Sequence, residues 1–84
     1  MISVRVRYFA SLREALGAGE EARLAEGADL AALRSQLIAS SERHAQMLAR
    51  QRAVRCALNQ VMSDEGARLA NGDEVAFFPP VTGG

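Results

Sequence analysis

The chain has 84 residues, with ten basic side chains, all arginine, against ten acidic ones, and no formal net charge. That length holds one domain, and the charge balance lacks the basic excess that phosphate binding requires, so neither DNA nor RNA is an expected partner. Hydrophobic residues at 49% and charged residues at 24% describe a globular chain rather than a disordered one, with no apolar run near the roughly 18 residues that cross a bilayer.

Met1-Ile2-Ser3-Val4-Arg5 alternates polar and apolar from its second residue, which reads as a strand and not as a signal peptide. The expected compartment is the cytoplasm, with no membrane partner. Cys56 and His44 each stand alone in the chain, which excludes an internal disulfide, a cysteine zinc site and an iron–sulfur cluster, so no metal is expected.

Ile2, Val4, Val6 and Tyr8 share one face of the first strand, leaving Ser3, Arg5, Arg7 and Phe9 on the other. Ser11-Leu12-Arg13-Glu14 fits a capping box that opens a short helix, and Gly17 is placed to stop it. Glu20 to Leu24 reads as a second strand with a turn at Glu26-Gly27-Ala28. Asp29 can cap the main helix, in which Leu30, Leu33, Leu37 and Ile38 make the apolar stripe, with Arg34 and Gln36 outside it. Ser40-Ser41 interrupts that helix, and Glu42 to Arg50 forms an offset piece carrying His44, read as a surface side chain.

Val54, Cys56 and Leu58 alternate as a third strand, with Cys56 read as core packing. Val61-Met62 is a short return strand. A turn over Ser63 to Gly66, a single helical turn over Ala67-Arg68-Leu69 and a turn at Asn71-Gly72 follow. Asp73 and Glu74 read as solubilising turn residues, and Glu74 to Phe78 alternates as the last strand. This order predicts an α+β domain over residues 1–78, a sheet packed on one main helix with its other face open. Large aromatics among arginines on that open face mark a partner surface.

Pro79-Pro80-Val81-Thr82-Gly83-Gly84 then forms an expected tail, residues 79–84. The two prolines end sheet pairing, and six residues reach roughly 20 Å. Two terminal glycines make the tip as thin as a peptide can be, able to enter a narrow channel. A carboxylate there becomes reactive once ATP converts it to an acyl adenylate, from which sulfide or a persulfide displaces AMP to leave a thiocarboxylate. A chain without lysine offers such an acyl group no side-chain amine of its own. Lysine introduced at Arg5 or Arg68 is expected to be acylated.

The run from Gly72 through Phe77-Phe78-Pro79-Pro80-Val81-Thr82-Gly83-Gly84 resembles the terminus of the small subunit of molybdopterin synthase. Phe9-Ala10-Ser11-Leu12-Arg13-Glu14 and Leu58-Asn59-Gln60 resemble two further segments of that family. The resemblance implies a ubiquitin-like β-grasp fold and a sulfur carrier with no permanently bound cofactor, its C-terminal Gly84 adenylated by an ATP-dependent activating enzyme and then thiocarboxylated from a persulfide or sulfide donor. It implies that sulfur passes to cyclic pyranopterin monophosphate within a two-plus-two complex, with the catalytic side chains on the large subunit. Gly83, Thr82, Val81, Pro80 and Pro79 would guide the tail, while Phe78, Phe9, Arg13 and Met62 would meet the large subunit. Carriers for thiazole synthesis or tRNA thiolation, a non-chemical β-grasp interaction module and a ubiquitin-like modifier are the alternatives.

Overall fold

In the computed structural model, which describes residues 1–79, the chain opens with β1 (Ile2–Tyr8), whose Ile2, Val4, Val6 and Tyr8 are buried while Arg5 and Arg7 are exposed. This is the two-residue period of a strand covered on one side. There follow α1 (Ala10–Leu16), β2 (Gly19–Leu24), α2 (Leu30–Ser40), α3 (Glu42–Leu48), β3 (Arg55–Leu58), β4 (Val61–Ser63) and β5 (Glu74–Phe78). The strands lie in the order β2-β1-β5-β3-β4. β1 and β5 run parallel and the other neighbours antiparallel, making the sheet mixed. Leu12 of α1, Leu30, Leu33 and Leu37 of α2 and Leu48 of α3 join Val6, Leu24, Val75 and Phe77 in one core. All the helices therefore serve one face of the sheet, and the other is left open.

The helix ends differ from expectation at α1. Phe9 is its N-cap and no side chain caps it, while Ser11 lies inside the helix, so the expected box of Ser11 and Glu14 does not form. The reason is that Phe9 is already held by the sheet: its N–H donates to Phe77 O at 3.1 Å and its own carbonyl accepts from Leu12 and Arg13. Ala10, at φ +54, makes the turn into the helix one residue before Ser11. Gly17, at φ +95, closes α1 as expected, donating its N–H to Arg13 O at 2.8 Å.

α2 begins as predicted, with Asp29 accepting from Ala32 N at 2.8 Å. The break at Ser41 is also present, and Ser41 Oγ caps α3 by accepting from His44 N at 3.0 Å. The helical turn expected at Ala67-Arg68-Leu69 is absent; Arg68 instead bridges Asp29 as extended chain. Leu30 N–H donates to Ala67 O at 3.0 Å and Ala31 N–H to Glu65 O at 2.9 Å. A helix start leaves such amides without partners, and supplying two carbonyls to α2 holds this segment extended.

Arg34, expected outside the apolar stripe, is buried at 4% exposure. Its Nε donates to Leu48 O at 2.8 Å and its Nη2 to Ala49 O at 2.7 Å and Arg52 O at 3.1 Å. Its Nη1 pairs with Glu65 at 2.6 Å, and the other Glu65 oxygen pairs with Arg50. The guanidinium thus ties the end of α3 and the segment leading to β3 onto α2.

Asn59 and Gln60, at φ +50 and +70, are the two central residues of the β3–β4 hairpin, in which Leu58 faces Val61. Two consecutive positive φ values are those of a type I′ turn, whose twist suits a tight hairpin. Asn59 also holds the entry to β5: its Nδ2 donates to Asp73 Oδ1 at 3.0 Å and its Oδ1 accepts from Glu74 N at 2.9 Å. Asp73 Oδ2 accepts from Ala70 N at 2.7 Å. Asp73 is therefore a fastening of that turn rather than a solubilising residue, because its carboxylate is within reach of two donors.

Candidate functional site

Parallel pairing of β1 with β5 sets Tyr8 opposite Phe77, so both strands finish at the same end of the sheet and Phe9 and Phe78 leave it together. Phe9 is exposed at 39%, Phe78 is half-buried, and the Arg7 guanidinium carbon stands 5.5 Å from the centre of the Phe9 ring. Across the open face Arg7, Ala76, Ala57 and Met62 fall in one cross-strand row, and Phe78 and Arg55 in the next. Met62 is 52% exposed on edge strand β4. Of the predicted partner residues, the structure sets Phe9 and Phe78 at the root of the tail and Met62 on the open face two strands from Phe78, while Arg13 lies on α1 with its amide bonded to Phe9 O. Pro79 is half-buried and lines a groove with Leu12, Met47 and Val54. Pro80, Val81, Thr82, Gly83 and Gly84 lie outside the described residues.

Beneath the tail root is a hydrogen-bonded chain the sequence did not reveal. Tyr8 OH donates to Glu20 Oε2 at 2.7 Å, and His44 Nε2 lies 2.7 Å from the same oxygen. Ser41 Oγ is 2.6 Å from His44 Nδ1. The Glu20 carboxylate can only accept, so Nε2 carries the proton that faces it, and in that tautomer Nδ1 accepts from the Ser41 hydroxyl; the tautomer is assigned from the network. His44 is therefore not a free surface side chain but a link from α3 to β2. Ser41 stands beside it as a helix cap, its oxygen committed to the backbone. Burial, and then the hydrogen bond and charge of Glu20, hold the Tyr8 hydroxyl far above its ordinary range. The Tyr8 ring stacks on Phe77 with centroids 6.4 Å apart, so the last residues of β5 rest on a firm floor.

Cys56 is buried at 5% and its Sγ donates to Ser63 O at 3.3 Å. Burial first, and the nearby Glu65 carboxylate second, push its thiol up. A buried, protonated thiol is in the wrong state for a nucleophile, which agrees with the packing role expected for it.

The mixed sheet gripping its main helix, with an aromatic platform where the last strand leaves, defines a ubiquitin-like β-grasp protein. Residues 6–84 match the ThiS family, and the chain belongs to that family. It is 40% identical to the molybdopterin synthase sulfur carrier subunit of Escherichia coli, with 96% of this chain and 99% of that protein aligned. Among solved structures, SAMP1 of Haloferax volcanii superposes with a TM-score of 0.78 at 25% identity, over 98% of this chain and 99% of the other. The complex of subunits 1 and 2 of the molybdopterin-converting factor of Helicobacter pylori contains a chain that superposes with a TM-score of 0.71 at 27% identity, over 99% of this chain and 100% of that one.

Proposed function

We propose that this protein is the sulfur carrier subunit of a molybdopterin synthase, acting in the cytoplasm, with Gly84 as its chemical site. The Gly84 carboxylate attacks ATP on an activating enzyme, giving an acyl adenylate and releasing pyrophosphate. Sulfide displaces AMP to give the thiocarboxylate directly; the terminal sulfur of a persulfide displaces it to give an acyl disulfide, whose S–S bond a thiol then cleaves, leaving the thiocarboxylate and a disulfide on the donor. The loaded tail enters the large subunit, whose side chains are the catalytic ones. There the sulfur forms a bond to cyclic pyranopterin monophosphate, and water returns Gly84 to a carboxylate. Pro79, Pro80, Val81 and Thr82 guide the tail and Gly83 lets it pass, while Phe9, Arg13, Met62 and Phe78 meet the large subunit.

The observation that carries this reading is the placement of Phe77-Phe78-Pro79 at the end of a central strand, beside exposed Phe9, in a chain that aligns end to end with a sulfur carrier subunit. The test is intact mass after incubation with ATP, an activating enzyme and a sulfide source. Replacement of one oxygen by sulfur raises the mass by about 16 units. An unchanged mass, or a shift to a much larger protein conjugate, overturns the proposal. Removing Gly83 and Gly84 is expected to leave docking on the large subunit intact while abolishing sulfur delivery; a pure binding module would keep its function.

A further inference from the structure

The chain is neutral as a whole, yet its charges are unevenly used. Among the described residues Arg34 and Arg50 hold ion pairs, both to Glu65. Arg7, Arg13, Arg52 and Arg55 are exposed, hold no such pair, and stand around the root of the tail. Arg7 lies over Phe9, Arg55 is the cross-strand partner of Phe78, Arg52 lines the groove of Pro79, and the Arg13 amide bonds to Phe9 O. The sheet neighbours of Arg7 are Gly19 and Ala76, both neutral. Glu21 and Glu74 sit opposite Arg5 instead, about 7 Å further from the tail root at the rise of a strand. Asp64, which follows β4, has Oδ1 occupied by the Gly66 amide, and Glu14 on α1 pairs with none of the four.

We infer that Arg7, Arg52 and Arg55, together with Arg13, form a cationic collar around the aromatic platform that docks on an acidic rim of the large subunit. This rests on the carrier reading above. Among the described residues none of these four charges around an apolar patch pairs with a carboxylate, so the fold draws no ion pair from them. They are arranged to meet a surface with an apolar centre and carboxylates at its edge. Stacking on Phe9 pre-orders the Arg7 guanidinium, so less freedom is lost when it finds a planar carboxylate partner. Rim charges of this kind act on the rate of encounter and its salt dependence more than on the lifetime of the complex.

The test measures association and dissociation rates of the full chain with its cognate large subunit across ionic strength. The association rate is expected to fall at least about 5-fold from low to high salt. Arg7→Gln combined with Arg55→Gln is expected to slow association about 5-fold at low salt, to flatten the salt dependence, and to change dissociation less than about 2-fold. Arg5→Gln combined with Arg68→Gln, which removes the same net charge away from the tail root, is expected to bind like the parent. Urea midpoints of both double variants close to that of the parent confirm that folding is untouched. A complex that forms at the same rate whatever the salt, or equal slowing by both pairs, overturns the collar and leaves the carrier reading standing. No complex at all overturns the carrier reading.

Discussion

Replacing Arg34 by alanine tests the claim that one buried guanidinium holds α3 and the segment before β3 in place. The side chain is 4% exposed and donates to the carbonyls of Leu48, Ala49 and Arg52 as well as to Glu65. Leu48 is fully buried, so its carbonyl has no water to turn to and bears the full desolvation cost, about 1–3 kcal/mol. The carbonyls of Ala49 and Arg52 are in less buried residues and recover part of theirs, and Glu65 keeps Arg50. Loss of the packed aliphatic stem brings the total to about 3–5 kcal/mol, against about 4–13 kcal/mol for the whole stability of a chain this long. With an m-value of about 1 kcal/mol/M in urea, the midpoint is expected to fall by about 3–5 M. Trypsin is expected to cut after Arg50 and Arg52 well before it cuts elsewhere. Arg34→Lys, which keeps the charge but not the fork, is expected to lose about 1–3 kcal/mol. A midpoint for Arg34→Ala within about 0.5 M of the parent would refute the reasoning.

Both shifted groups raise their pKa on folding, so the folded state holds those protons longer than the unfolded one. Stability is then complete below the ordinary values of 9.0 for Cys56 and 10.0 for Tyr8 and declines as the pH rises above them. Urea midpoints are expected to hold steady from neutrality to about pH 8.5 and then to drop, and Tyr8→Phe to flatten the part above about pH 10; an equal drop in parent and variant would sink the assignment. A Cβ at Gly19 runs into the Val6 carbonyl oxygen, so Gly19→Ala is expected to cost more than about 2 kcal/mol by thermal unfolding, and a variant as stable as the parent would contradict the close approach. Gln60 at φ +70 carries a left-handed penalty of about 1–2 kcal/mol that glycine escapes. After the greater chain entropy glycine loses, about 0.5–1 kcal/mol, Gln60→Gly is expected to raise the melting temperature by a few degrees, and a fall would exclude the type I′ assignment.

The elements legible in the sequence are those whose signals are local. Alternation in Ile2 to Tyr8 and Glu74 to Phe78, the Asp29 cap, the Gly17 stop and the break at Ser40-Ser41 each depend on neighbours a few residues away. Phe9 and Phe78 are visible as a pair because each ends an alternating run on the open side, and β1–β5 pairing brings those ends together. Non-local partners decided the rest. Arg34 sits four residues after Leu30, on the buried stripe, but its charge masks the position, and the carbonyls that make burial tolerable come from Leu48 to Arg52. His44 read as surface because Glu20 and Tyr8 lie far off in the chain. Ala67-Arg68-Leu69 has helical composition, yet the Ala67 carbonyl is taken by the first amide of α2.

The position of β5 inside the sheet has a mechanical consequence. It is bonded on one side to β1 and on the other to β3, while β2 and β4 form the edges. Consider traction applied at Phe78 along the strand axis. The rungs to both neighbours are then loaded in shear together instead of being unzipped one after another. A load hauled that way is shared between two ladders, where an edge strand would have one.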